Sequence, residues 1–360
     1  MSATVMITTG GTGGHVFPGL AVASRLIAKG CKVFWLGTRD GIEARLVPQH
    51  GVDFEAIRFG GVRGKGLKRL LLGPFSLLLA FWQSLRVIRR RAPDVVLGLG
   101  GFASFPGALM GVAWGRPLAI HDANAVAGLS NRILAFGADR ILLGFPDALH
   151  GKHAAKVRWV GNPLRDDIVA VVRPEQRFAG RKGPLKLLVL GGSLGAVALN
   201  QRVPAALALL APSQRPQVTH QAGEAHIDAV RRAYAEVGAA VECLPFIADM
   251  ARRYADADLV ICRGGALTVA EVAAVGVGSL IVPLPGAIAD EQTHNARFLV
   301  DAGAASLVPQ SELTPQLLAD MLAAYDREGL LAMAIAARGV ARTDATERVA
   351  DACMELAQSR

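Results

Sequence analysis

In the stretch LVICRGGALTVAE, an apolar run ends at Gly264-Gly265 and a helical pattern starts at once. A helix start exposes unpaired backbone N–H groups and the positive end of the helix dipole, so it favours a phosphate or a developing oxyanion. Thr268 falls in the first turn and Glu271 one turn further on. Helical side chains lean toward the N-terminus, which lets Glu271 reach a group held above that end. A carboxylate there can accept both hydroxyls of a ribose while the helix start holds the attached diphosphate. The alternative is an acidic residue that only complements the dipole. The residues alone leave both open.

His15 directly follows a second glycine turn, Gly10-Gly11-Thr12-Gly13-Gly14. Its imidazole titrates near neutrality and can take a proton from an attacking hydroxyl; a packing or capping histidine is the plainer alternative. Asn124, ending PLAIHDAN, and Arg165, just past Gly161-Asn162-Pro163, are further polar groups expected where strands and linkers end. Two more glycine turns, Gly98 to Gly101 and Gly191 to Gly195, make four, and four favour ligand binding over mere tight packing. A dinucleotide fingerprint fits poorly. The first turn has Val16 where the last glycine should stand, and Gly98-x-Gly100-x-x-Ala103, with Asp122 downstream, lies on a late strand. Asp256-Ala257-Asp258 resembles a metal-binding DxD motif, but it precedes a strand and is expected to be a solvated loop. No metal site is expected.

Short apolar runs position these groups. VMITT (from Val5), VFWLG (Val33), DVVLGLG (Asp94), PLAIHD (Pro117) and RILLG (Arg140) form one series. KLLVLGG (Lys186), VTHQAG (Val218), VECLPF (Val241), LVICRGG (Leu259) and SLIVPLP (Ser279) form the other. Unbroken apolarity indicates strands covered on both faces, as in parallel sheets flanked by helices. Each series opens with a strand, a Gly-Gly turn and a helix, half the chain apart. The fold class expected is therefore α/β: two doubly wound, Rossmann-like parallel-sheet domains facing one cleft. The boundaries expected are 1–162 and 163–342, with a last helical stretch, 343–360, packing back on the first domain.

The totals agree. A chain of 360 residues with 52% hydrophobic and 19% charged residues has material for two cores and little for disordered tails. Four scattered cysteines without a CxxC pair argue against a zinc site or disulfide framework and suit a reducing cytosol. The first apolar run has no charged leader and reads as a core strand, not a secretory signal. The net charge of +9 is concentrated around an apolar block. Arg63, Lys65, Lys68 and Arg69 precede it, Arg86, Arg89, Arg90 and Arg91 follow, and Leu72, Phe75, Leu79, Phe81 and Trp82 lie between. The block is shorter than the ~20 residues needed to span a bilayer. It suits a helix lying in anionic headgroups, at ~1 kcal/mol per base; an ordinary buried helix with a basic end is the alternative. Nucleic acid is not expected, because aromatic residues are not interleaved with the bases.

Taken in order, GGTGGHVFPGLA, VRGKG, GGFASFPG, HDANAVAGLSNR, GNPLR, GGSLGA, RGGALTVAE and DEQTHNA resemble the MurG family. These are bacterial peptidoglycan N-acetylglucosaminyltransferases that convert lipid I to lipid II. The resemblance covers nearly the whole chain. It implies the GT-B fold, a lipid acceptor at the N-terminal domain and a nucleotide sugar held mainly by the C-terminal one. It puts Thr12, Gly13 and Gly14 near the donor sugar or acceptor diphosphate, Asn124 on the N-acetylglucosamine, and Arg165 and Ser193 on the donor diphosphate. Ile247 would meet uracil through its backbone. Ala266, Leu267, Thr268, Val269, Ala270 and Glu271 would line the nucleotide, with Glu271 on the ribose, and Gln292 would bind sugar hydroxyls. His15 becomes the candidate base. Asp122, Ala123, Leu194 and Phe102 depart from the family pattern, which has HEQN, Gln and Tyr at those places.

The resemblance further implies inversion at the donor C1 by the muramyl C4 hydroxyl. UDP-GlcNAc and undecaprenyl-pyrophosphoryl-MurNAc-pentapeptide would be the substrates, with no further cofactor. The place would be the cytoplasmic face of the bacterial inner membrane, peripherally bound. The rivals are a UDP-N-acetylglucosamine epimerase of similar fold and a non-catalytic nucleotide-sugar-binding membrane protein.

Overall fold

A computed structural model describes residues 2–59, 67–146, 148–149, 154–192, 195–239 and 241–359, with the backbone alone for 67–73 and 288. The apolar runs become two parallel sheets. The first joins β1 (Thr4–Thr8), β2 (Lys32–Thr38), β3 (Asp53–Ile57), β4 (Val95–Gly98), β5 (Leu118–Asp122), β6 (Arg140–Leu143) and β7 (Val157–Trp159) in the order β3-β2-β1-β4-β5-β6-β7. The second joins β8 (Lys186–Leu190), β9 (Gln217–Gln221), β10 (Val241–Leu244), β11 (Leu259–Cys262), β12 (Gly278–Ile281) and β13 (Ala305–Leu307) in the order β10-β9-β8-β11-β12-β13. Val5 of β1 lies opposite Val33 and Val95, and Leu187 of β8 lies between Val218 and Leu259.

Both sheets reverse strand order once, between β1 and β4 and between β8 and β11. Ligands of doubly wound sheets bind at the carboxyl ends of strands at such a reversal. All four glycine turns follow these strands, so they stand in two pairs: Gly10–Gly14 with Gly98–Gly101, and Gly191–Gly195 with Gly264–Gly265.

Three strands escape a search for unbroken apolar runs. β3, β7 and β13 are edge strands, and their residues are half-buried or alternating because one side lacks a neighbour.

The chain divides into two compact units, Met1–Arg165 with Arg342–Arg360, and Asp166–Ala341. The final helix, Ala345–Gln358, buries Val349, Ala350, Cys353 and Leu356 among Val5, Ile7, Val95 and Leu97 of the first unit. At about 1.5–3 kcal/mol per buried aliphatic side chain, this packing outweighs the exposed pair, at 3.2 Å, between Glu347 of this helix and Arg25 of helix Gly13–Ala28. All four cysteines are free and buried.

The apolar block lies in one long helix, Leu67–Arg91. Among the described residues no helix is long and apolar enough to cross a membrane. Phe75, Leu78, Leu79 and Trp82 recur at one-face spacing and are 71%, 63%, 41% and 58% exposed, while Ala80, Ser84, Val87 and Ile88 face the core. One expectation, that for Phe81, is corrected here. Phe81 turns inward, its ring 6.1 Å from that of Phe105, and Arg90 is bound to Glu55 at 2.6 Å because edge strand β3 presents that acid alongside the helix. Arg86 lies over Trp82 and Arg89 over Trp114, with 5.7 and 5.0 Å from guanidinium carbon to ring centre. Arg63 and Lys65 lie outside the described residues, as do the side chains of Lys68, Arg69 and Leu72.

Candidate functional site

In the second unit, β11 ends at Cys262 and helix Ala266–Val275 starts after Gly265, which is extended (φ −64°, ψ 138°). No side chain caps this start and no acid occupies its first turn, so its N–H groups are presented to a ligand. Gly264 is pressed against the next helix, Glu291–Val300: a Cβ on it would collide with the carbonyl of Gln292. The buried Asn295 amide donates to Gly264 O at 3.1 Å. Gln292 Oε1 accepts from the Leu284 N–H at 2.9 Å, which leaves its Nε2 to donate to a hydroxyl.

Glu271 is half-buried, and one of its oxygens accepts from the hydroxyl of the fully buried Tyr254 at 3.1 Å. Tyr254 thus aims the carboxylate. Ala266, Leu267, Thr268 and Ala270 are half-buried, whereas Val269 lies fully in the core. The side chain of Ile247 is also in the core, which leaves its backbone to a ligand.

The glycine turn after β8 borders a concavity of about 630 Å³ whose lining includes Gly191, Gly192, Gly195, Arg202 and Arg263. Arg263 is held by the carbonyls of Val282 (3.0 Å) and Pro283 (3.2 Å) and by Gln310 Oε1 (2.7 Å). These partners are neutral, so its charge is not cancelled. Burial, and then the nearby Arg202, lower its pKa. Two mutually repelling guanidiniums beside a glycine turn suit a polyanion. Ser193 and Leu194, within that turn, lie outside the described residues.

In the first unit, Thr12 precedes helix Gly13–Ala28 without a side-chain cap. His15 sits against the turn after β4, 3.5 and 3.6 Å from where a Cβ on Gly100 or Gly101 would stand. Its Nδ1 is buried without a partner. Burial lowers its pKa and a bond to the Leu99 backbone partly restores it, so at neutral pH it is the unprotonated base form. His121, whose ring nitrogen bonds Gly161 O at 3.0 Å, is pushed down to about 4 by burial. Asp122 accepts from the N–H groups of Asn124 (3.2 Å) and Gly128 (3.0 Å) and from Asn131 Nδ2 (3.0 Å), so it fixes the loop that presents Asn124. Arg165 is the last residue of the first stretch of this unit.

Residues 5–143 match the N-terminal domain model of glycosyltransferase family 28, and residues 186–351 its C-terminal domain model. A UDP-N-acetylglucosamine–N-acetylmuramyl-(pentapeptide) pyrophosphoryl-undecaprenol N-acetylglucosamine transferase of Aromatoleum aromaticum is 56% identical over 99% of both chains. The crystal structure of Acinetobacter baumannii MurG superposes with a TM-score of 0.85 at 40% identity, covering 98% of this chain and 99% of that one. The chain belongs to the MurG family. A UDP-N-acetylglucosamine 2-epimerase also superposes, with a TM-score of 0.67 over 100% of this chain and 98% of that one, but at 15% identity it shares the fold alone.

Against the MurG-family motifs, the structure brings Gln292 against Gly264, at the start of the helix that carries Ala266–Glu271, and His15 against Leu99–Gly101. It also corrects the DxD expectation. Asp258 is not solvated: it is fully buried, paired with Arg181 and with Arg327 at 3.4 Å, and accepts from the Lys186 N–H at 2.9 Å. It enters a central strand, where a carboxylate without such partners would be too costly. Sequence reasoning missed Tyr254, Arg202, Arg263 and Asn295. Arg263 had a signal, because it directly precedes Gly264, and so did Arg202 and Asn295, on the helices that follow Gly195 and carry Gln292; Tyr254 reaches Glu271 from a separate helix and had none.

Proposed function

We propose that this chain is an inverting glycosyltransferase that moves N-acetylglucosamine from UDP-GlcNAc to the C4 hydroxyl of the muramyl unit of lipid I, giving lipid II. The second unit holds the donor and the first the lipid acceptor. What carries the donor assignment is the uncapped helix start after Gly265, with Glu271 one turn in and aimed by Tyr254. The diphosphate takes the helix N–H groups and the turn at Ser193, with Arg165, Arg202 and Arg263 as its counter-charges. Glu271 takes the ribose, Ile247 meets uracil through its backbone, and Gln292 and Asn124 bind the sugar.

As C1 is attacked, negative charge grows on the leaving UDP. Prearranged N–H groups and guanidiniums stabilise that charge more in the transition state than in the ground state. His15, neutral at physiological pH, accepts the hydroxyl proton, and Thr12–Gly14 orient the reactants beside it. The exposed face Phe75, Leu78, Leu79 and Trp82, with Arg86 and Arg89 stacked on indoles, lies in the anionic headgroups of the cytoplasmic leaflet as a peripheral anchor. An epimerase would need neither this face nor an acceptor.

The test supplies purified protein with labelled UDP-GlcNAc and a lipid I analogue. A labelled, β-linked disaccharide lipid is expected. Epimerised UDP-sugar without transfer would overturn the assignment.

A further inference from the structure

Under the first glycine turn lies a carboxylate that the transfer chemistry above does not use. Glu43 opens helix Glu43–Gln49 and is fully buried. Its Oε1 accepts from the Thr38 N–H at 3.0 Å and the Thr38 hydroxyl at 2.6 Å, and its Oε2 accepts from the Gly11 N–H at 3.4 Å. All three donors are uncharged. Holding a carboxylate out of water on neutral donors alone is costly, and an apolar side chain would fill the space at lower cost.

The surroundings are shaped around it. A Cβ on Gly10 or Gly41 would collide with the carboxylate, and one on Gly37 would lie 2.7 Å from its Cγ. Gly10 is trapped from the other side as well, because a Cβ on Gly101 would collide with the Gly10 carbonyl, and Gly101 stands against His15. Gly11 has φ +113°, a conformation that other residues rarely adopt. A contiguous chain of contacts therefore runs from Glu43 through Gly10–Gly11 and Gly101 to His15.

We propose that Glu43 is a positioning residue for the transfer reaction. Its carboxylate sets the Gly10–Gly11 backbone so that Thr12–Gly14 and His15 meet the acceptor hydroxyl. This rests on the acceptor-side reading of that turn. In Glu43→Gln, an amide of nearly the same shape turns a donor toward Thr38 or Gly11, whose groups are themselves donors.

The expected result is a fall of about 10- to 100-fold in kcat/KM for the lipid I analogue. The Kd for UDP should stay within about twofold, because Glu271, Ile247 and the helix start after Gly265 belong to the other unit and touch none of the Glu43 contacts. Amides of residues 11–15 should exchange hydrogen faster, and those of 266–275 should not. Thr38→Val, which removes only the hydroxyl bond, should lose a few-fold by the same measures. A folded Glu43→Gln protein with wild-type acceptor kinetics overturns the proposal, as does equal loss of UDP affinity. Should Glu43→Gln not fold, Thr38→Val decides: acceptor-selective loss supports the role and wild-type kinetics refute it. If the wild-type protein transfers no sugar, the transferase reading has failed, and exchange at residues 11–15 still decides whether Glu43 sets the turn.

Discussion

The turn after β1 and the turn after β11 are the same device, a central strand ending in glycines that lead into a helix start without a side-chain cap. Each strand–turn unit also contains a fully buried carboxyl group, but at a different place. Glu43 sits directly beneath Gly10 and Gly11 and has no cation among its hydrogen-bond donors. Asp258 lies at the far end of β11, a strand of about 13 Å at ~3.3 Å per residue that separates it from the turn, and is neutralised by Arg181 and Arg327. The turn after β11 is braced instead by the neutral amide of Asn295. One turn thus has a buried carboxyl group hydrogen-bonded at its base, and the other has its buried carboxylate a strand's length away. On the proposed reading, the first turn faces the acceptor and the second the donor diphosphate.

The largest effect expected is at the base of the acceptor turn. His15→Ala should lower turnover by about 10²–10⁴-fold, as loss of a general base does, while UDP affinity holds. The wild-type rate should also decline on the acid side, below pH 6.5, because His15 titrates below its ordinary value. A rate unchanged in His15→Ala would remove the chemical distinction between the turns.

Next comes the remote carboxylate. Asp258→Ala strands Arg181 and Arg327 and should cost about 3–5 kcal/mol of stability, read as a lower denaturant midpoint. Loss of donor affinity without loss of stability would mean that Asp258 acts on the site rather than on the strand.

Glu271→Ala should weaken UDP-GlcNAc binding by roughly 10²-fold, the scale of two hydrogen bonds to a charged group, and Tyr254→Phe by only a few-fold. Calorimetric titration separates them, and equal effects would contradict the idea that Tyr254 only aims the carboxylate.

A last effect should not distinguish the units at all. His121 in the first and His220 in the second are both held near pKa 4 by burial. His220 is bonded to Tyr234 at 2.7 Å and Asn200 at 3.0 Å. The unfolded chain takes up these protons first, near 6.5. Stability is therefore full above that pH and is lost as pH falls toward 4, by about 2 kcal/mol per histidine at pH 5. Unfolding followed between pH 7 and 5 checks this, and a flat profile would refute it.

Much of the fold was legible because covered strands must be continuously apolar. LLVL and LVIC announce β8 and β11 without any tertiary knowledge, whereas DFEAI of β3 and ASL of β13 do not, since an edge strand meets solvent. The site was legible where its parts are adjacent in the chain. Gly264, Gly265, Thr268 and Glu271 fall on one strand, turn and helix, and His15 follows its own turn. Asp258 misled because its partners, Arg181 and Arg327, lie far away in sequence.

The amino-acid sequence by itself determined the two parallel sheets, the four glycine turns and the family, because each depends on local residue type and order. Only the tertiary structure decided that the turns stand in pairs at the strand-order reversals, that Glu43 braces one of them and Tyr254 aims Glu271. Such contacts depend on which strands become neighbours, as when the Thr9 hydroxyl donates to Gly100 O at 2.8 Å across 91 positions. Burial then makes each such contact obligatory, because a polar group withdrawn from water must find a partner wherever the fold provides one.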